Sequence, residues 1–94
     1  MVRIGLLTVQ FHLPGCASLK EKRQRLARLR DKFGREPRVA ICESDFQDDW
    51  QRAEWTCVAL ANDKVAVERQ LQVIENFINE ELDAVVTELN RELH

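Results

Sequence analysis

Leu82-Asp83-Ala84-Val85-Val86-Thr87-Glu88-Leu89-Asn90-Arg91-Glu92-Leu93-His94 reads in two ways, and the choice decides the fold. As a helix, it prolongs the segment before it through Leu82, Val85, Val86, Leu89 and Leu93. As a strand, it sets Val85, Thr87, Leu89 and Leu93 on one side. The β-branched run Val85-Val86-Thr87 favours a strand over residues 83–92, because branched side chains lose rotamers in a helix and pack well on a pleated surface.

Upstream of that strand, Asn62-Asp63 supplies a helix N-cap, and Val67, Leu71, Ile74 and Ile78 recur at steps of four, three and four, one face of a helix. Arg52 to Ala61 alternates, with Ala53, Trp55, Cys57, Ala59 and Ala61 opposite Arg52, Glu54 and Thr56. Val39 to Phe46 is also a strand, but its pattern slips. Val39 and Ile41 hold the odd positions, then Glu43 and Asp45 take that parity while Cys42 and Phe46 carry the apolar role. A β-bulge near Cys42 accounts for the switch. Earlier still, Ser18 and Glu21 form a capping box before a helix whose stripe is Leu19, Leu26, Leu29 and Phe33, ended by Gly34 and Pro37. Val2 to Leu13 alternates Gly5, Leu7, Val9 and Phe11 against Ile4, Leu6, Thr8, Gln10 and His12. Leu13-Pro14-Gly15-Cys16 then fits a type II turn, proline setting φ second and glycine taking positive φ third. The order β-α-β-β-α-β predicts one α+β domain over 1–94 of the ferredoxin-like kind. Its sheet is four-stranded and antiparallel, ordered 4-1-3-2, with two helices on one face. The predicted core is Leu7, Val9, Phe11, Leu19, Leu26, Leu29, Phe33, Trp55, Cys57, Val67, Leu71, Ile74 and Ile78.

Hydrophobic residues make up 45% and charged residues 32% of the 94, the balance of a folded chain rather than a disordered one. No apolar run approaches the roughly 18 residues of a membrane span, and no basic stretch leads into a long apolar one. Neither membrane insertion nor secretion is expected. Cys16, Cys42 and Cys57 are odd in number and lack a CxxC pair. That speaks against a disulfide framework or zinc ribbon and for a cytoplasmic location.

Charge is segregated along the chain. Residues 18–38 carry nine basic side chains against three acidic ones, a net +6, whereas residues 39–94 carry four against thirteen, a net −9. The first helix is therefore a basic element in an acidic molecule. Projected at about 100° per residue, Arg25, Arg28 and Lys32 point outward, and Arg35 extends their patch. Arg23 and Arg30 lie at the margin of the apolar stripe. Lys22 falls inside it and must find a carboxylate or a strand-end carbonyl, since an unpaired buried ammonium is costly.

Three motifs, His12-Leu-Pro-Gly-Cys-Ala-Ser-Leu-Lys-Glu-Lys-Arg23, Glu43-Ser-Asp-Phe-Gln-Asp-Asp-Trp-Gln-Arg-Ala53 and Ala61-Asn-Asp63, together resemble the YlxP-like family of short bacterial proteins of unknown function. The resemblance spans nearly the whole chain. It implies a ferredoxin-like fold and a frequent genomic setting beside translation and ribosome-maturation genes; it implies no activity. The chain departs from the family at Phe46, where relatives often carry histidine, and at Asp49, where they are often apolar or basic.

Three functions follow as expectations. The first is a non-catalytic module that binds RNA or a ribosomal assembly intermediate through Arg25, Arg28, Lys32 and Arg35, each phosphate contact adding salt-dependent affinity. The open sheet face lacks stacking aromatics, so the helix is the expected platform. The second is a small enzyme or metal-dependent protein in which His12, Glu43, Asp45 and Arg52 share the open face, a set able to move protons or hold a borderline metal. A solvated face with cross-strand ion pairs explains the same residues. The third is a homo-oligomeric scaffold, such as a homodimer, pairing through that face. Cys16 sits just before a helix start, yet only His12 and His94 are available as bases, so it reads as a small turn residue. Trp50, in the polar connection, is the candidate surface anchor. No residue is assigned a catalytic or metal-ligating role, and no cofactor is expected: Gly5, Gly15 and Gly34 stand alone and make no phosphate loop.

Overall fold

The computed structural model describes all 94 residues, Met1–His94. The elements run β1 (Arg3–His12), α1 (Leu19–Phe33), β2 (Val39–Asp45), β3 (Arg52–Ala61), α2 (Lys64–Glu81) and β4 (Val85–Leu93). The sheet is ordered β2-β3-β1-β4, the expected order read from its other edge, and every pair is antiparallel. This is the ferredoxin-like arrangement.

Local chemistry explains where the elements start. The Ser18 hydroxyl accepts from the Glu21 N–H at 3.0 Å, and the Asp63 carboxylate accepts from the Ala66 N–H at 2.8 Å, so each helix begins on a satisfied cap. Gly15 takes φ +70°, and the Cys16 N–H returns to the Leu13 carbonyl at 3.2 Å, closing the Pro-Gly turn. Leu26, Leu29 and Phe33 of α1 and Val67, Leu71, Ile74 and Ile78 of α2 are buried against Leu7, Val9, Phe11, Trp55 and Cys57 of the sheet. Leu19 is only half-buried, because it opens α1 at the margin of the sheet. Leu13, Cys16, Ala53 and Ala59 complete the core; Cys16 is a core residue rather than merely a turn filler.

Two bulges correct the strand readings. In β2, Glu43 faces Trp55 and Asp45 faces Glu54, so the bulge expected near Cys42 is present, with Ser44, two residues further on, as the extra residue. Glu43 therefore keeps the parity of Val39 and Ile41 and belongs to the helix side. Cys42, which the sequence pattern gave the apolar role, is exposed. In β4, Phe11 faces Val86 and Gln10 faces Glu88, which leaves Thr87 as the extra residue. Val86 and Leu89 consequently pack on the core, while Val85, expected beside Leu89, is 52% exposed.

Candidate functional site

Helix α1 has two cationic flanks, and the fold treats them oppositely. The flank toward α2 holds Arg25 and Arg28. Arg25 donates to the Pro14 carbonyl at 2.9 Å and the Asp83 carbonyl at 3.0 Å, and pairs with the Asp83 carboxylate at 3.1 Å. Its side chain is only 14% exposed, so it is a clamp between the Pro-Gly turn and the start of β4 rather than an outward cation. Arg28 pairs with Glu81 at 2.9 Å and lies over the Phe77 ring at 6.0 Å. The expected patch of Arg25, Arg28, Lys32 and Arg35 thus divides: Lys32 and Arg35 remain exposed and unpaired, while Arg25 and Arg28 are committed to the fold.

The flank toward β2 holds Arg23 and Arg30, both exposed and without an acidic partner. They rim a groove of about 270 Å³ whose floor includes Leu26, Ile41, Glu43 and Trp55. Lys22, 2% exposed, lies at its inner end. As its place in the apolar stripe required, the Lys22 ammonium finds partners: the carbonyls of Phe46 at 2.9 Å and Arg52 at 3.0 Å, and the Glu43 carboxylate at 3.0 Å. Phe46 presents its carbonyl from the left-handed region, φ +62°, a conformation that aromatic residues rarely adopt and that histidine tolerates better. With Lys20 and Arg38, six cations of residues 18–38 lack a carboxylate within ion-pair distance: Lys20, Arg23, Arg30, Lys32, Arg35 and Arg38.

The open sheet face gathers less than its sequence suggested. His12 and Arg52 are opposed in register, and Asp45 faces Glu54 two positions away. His12 Nδ1 is 3.2 Å from the Gln51 carbonyl. Arg52 is occupied by Asp49 at 2.9 Å and stacks on Phe46 at 4.2 Å. The hydrogen bond from Arg52 is the main reason that the exposed Asp49 carboxyl titrates below its usual range. Glu43 points to the helix side, toward Lys22, so the four residues do not converge. The reason is the bulge position: an extra residue at Ser44 moves Asp45, but not Glu43, to the open side. Trp50 is 53% exposed in the connection between β2 and β3.

A ferredoxin-like α+β domain with a basic helix flank and no grouped metal ligands is thus the class of protein on view. The chain belongs to the family described as protein of unknown function (DUF503), whose model matches residues 4–91. The uncharacterized protein YlxP of Bacillus subtilis (strain 168) is 31% identical over 86 residues, covering 89% of this chain and 94% of that protein. Among solved structures, the de novo designed protein Foldit4 is similar with a TM-score of 0.61 at 12% identity, covering 100% of this chain and 97% of its own. The de novo designed protein LFR1 1, with a ferredoxin fold, has a TM-score of 0.53 at 18% identity, covering 100% of this chain and 86% of its own. These likenesses concern the fold. None of the helices is long and apolar enough to cross a membrane.

Proposed function

We propose that the protein is a non-catalytic RNA-binding module, acting on structured or ribosomal RNA in the cytoplasm through the β2-facing flank of α1. The observation that carries this reading is the set of unpaired cations beside the groove, above all Arg23 and Arg30, in a chain of net charge −2. Cations left without carboxylate partners in an acidic molecule make an oriented field that steers and holds phosphates. Lys32, Arg35 and Arg38 extend it past the C-terminal end of α1. The open sheet face supports the choice by contrast, since Asp45, Glu54, Glu88 and Glu92 give it the wrong sign for RNA. The family's setting beside translation genes, implied by the resemblance, points the same way.

The test is a salt-resolved anisotropy titration with ribosomal RNA fragments. The parent affinity should fall steeply between about 50 and 200 mM salt. Arg23→Glu/Arg30→Glu should weaken binding more than tenfold, as an order of magnitude, and flatten the salt slope by about 1.4. Equal binding by parent and variant would sink the proposal.

A specific observation favours one second reading, a homodimer. Ile4 and Leu60, 41% and 45% exposed, face each other in register beside the Leu6–Val58 pair, an apolar patch at one end of the open sheet. A patch of this kind can meet its own copy across a two-fold axis. Sedimentation that shifts with concentration in the parent but not in Leu60→Glu would support it; a monomer at high concentration would exclude it.

A further inference from the structure

Strand β2 is an edge of the sheet, and its backbone parity is fixed by the Leu60 N–H, which donates to the Arg38 carbonyl at 3.0 Å. Arg38 is therefore a hydrogen-bonded partner of Leu60, as Ala40 is of Val58 and Cys42 of Thr56 at steps of two. The residues between them turn their main-chain groups away from β3. The Val39 N–H is closed by the Glu36 carbonyl at 3.1 Å, which leaves the Val39 carbonyl, both Ile41 groups and the Glu43 N–H as an open edge. Folded sheets usually blunt such an edge with charge, proline or a bulge. The other edge, β4, carries Glu88, Arg91 and Glu92 and a bulge at Thr87. By contrast, β2 has its proline and its bulge only at the two ends, Pro37 and Ser44, and the Ala40-Ile41-Cys42 stretch between them is uncharged. The groove beside α1 reaches this edge, because Ile41, Cys42 and Glu43 all line it although their side chains alternate between the two faces.

We propose that an acidic, extended segment of a partner protein adds to β2 as a fifth strand, with its main chain on Val39–Glu43 and its carboxylates under Arg23 and Arg30. Strand addition draws affinity from the main chain and specificity from the side chains that alternate along it. Charge selects the partner. Arg23 and Arg30 rim the groove without an acidic partner, and Arg38 stands just before β2 without one. Arg23 and Arg30 lie two helical turns apart, about 10 Å, and one face of a strand repeats at about 7 Å. Acids at every second position of the segment therefore bring carboxylates within reach of both arginines. The intervening residues lie on the open face beside Ala40 and Cys42, which are small and exposed. A second copy of β2 has the wrong charge, since two-fold pairing would set Arg23 and Arg30 of both copies side by side. The proposal goes beyond the RNA reading, which does not need the strand edge. It rests on that reading in one respect: the segment and RNA phosphates draw on the same two arginines and exclude each other.

The probe is a labelled, end-blocked seven-residue peptide that alternates glutamate and valine, followed by fluorescence anisotropy on the intact protein. It should bind at least about tenfold tighter than the same peptide with lysine for glutamate, and Arg23→Glu/Arg30→Glu should cost about tenfold. Two further peptides carry N-methyl groups on alternate amides, one set for each edge of the peptide strand. The peptide whose methyl groups face β2 should lose binding and the other should keep it. Both methylated peptides bound as tightly as the unmethylated one, or no binding of the glutamate peptide at all, would overturn the fifth strand. A protein that sediments as a dimer and is dissociated by the peptide would give the edge to a second copy and overturn it too. Added to a complex with a ribosomal RNA fragment, the peptide should displace the RNA; both bound at once would overturn the shared use of the arginines. Peptide bound where no RNA binds would keep the strand edge and end the RNA reading, and RNA bound where no peptide binds would do the reverse.

Discussion

Nearly every donor of the Lys22 ammonium is already spoken for, and this makes Lys22 the most sensitive single position in the chain. Its partners come from the end of β2, the connection after it and the start of β3, so one side chain ties α1 to the sheet edge. Lys22→Met keeps the length of the side chain but strands a carboxylate and two carbonyls, and should cost about 3–5 kcal/mol in urea unfolding. Glu43→Gln in the same background should recover part of that loss, because it removes the uncompensated charge. If the double variant is no more stable than Lys22→Met, the ion pair is not what the lysine protects. Cys57, 0% exposed, gives a second residue-scale test, since burial first, and then Cys42, pushes its thiol up from 9.0 to about 12. Above pH 9 the unfolded chain holds fewer protons than the folded one. Stability must therefore fall as pH rises from about 9 toward 12, by at most about 1.4 kcal/mol per pH unit. Cys57→Ala should unfold with a shallower dependence over that window.

At the scale of elements, the packing of α2 on β1 depends on Gly5. A Cβ there would lie 2.5 Å from Val67 Cγ1 and 2.8 Å from Leu71 Cδ1. Valine in a helix has essentially one χ1 rotamer, so Val67 cannot step aside cheaply. Alanine would normally gain up to about 1 kcal/mol over glycine in a strand, but overpacking of about 1–3 kcal/mol outweighs that gain. Gly5→Ala should thus lower the melting temperature, and Val67→Ala added to it should recover less than it costs alone. The end of α2 is also an inter-element matter. No glycine or proline follows Glu81, and Leu82 turns to extended backbone at φ −91°, ψ 140°. Arg28 from α1 reaches the Glu81 carbonyl at 3.4 Å and Arg25 reaches that of Asp83 at 3.0 Å, which satisfies carbonyls that a longer helix would have used internally.

For the molecule as a whole, the two flanks of α1 predict opposite phenotypes from chemically similar changes. Arg25→Gln removes the clamp on Pro14 and Asp83 and should destabilise by about 1–3 kcal/mol while leaving RNA affinity nearly unchanged. Arg30→Glu touches no carboxylate partner, so its stability should stay within about 0.5 kcal/mol of the parent while its RNA affinity drops. Paired thermal melts and RNA titrations check both, and a loss of binding in Arg25→Gln equal to that in Arg30→Glu would refute the division of flanks.

The strand and helix order was legible in the sequence because it rests on local signals. Ser18 and Asp63 cap whatever follows them, the Pro14-Gly15 pair turns the chain, and the periodicities of the apolar residues differ between strands and helices. Lys22 was legible too, since its place within an apolar stripe demanded partners even though they could not be named. The slip in β2 announced a bulge near Cys42, but its exact residue was not legible, and neither was the bulge in β4. Ser44 and Thr87 are ordinary strand residues, and only pairing with β3 and β1 decides which one is skipped, hence that Glu43 meets Lys22 instead of His12. Nor was the sorting of the arginines, because a guanidinium reaches far enough that its partner is set by which helix or strand end packs beside it. Arg25 and Arg28 face the acidic end of α2, whereas Arg23 and Arg30 face an edge strand whose helix-side acid, Glu43, is taken by Lys22 and whose Asp45 lies on the other face, and that difference exists only once the chain is folded.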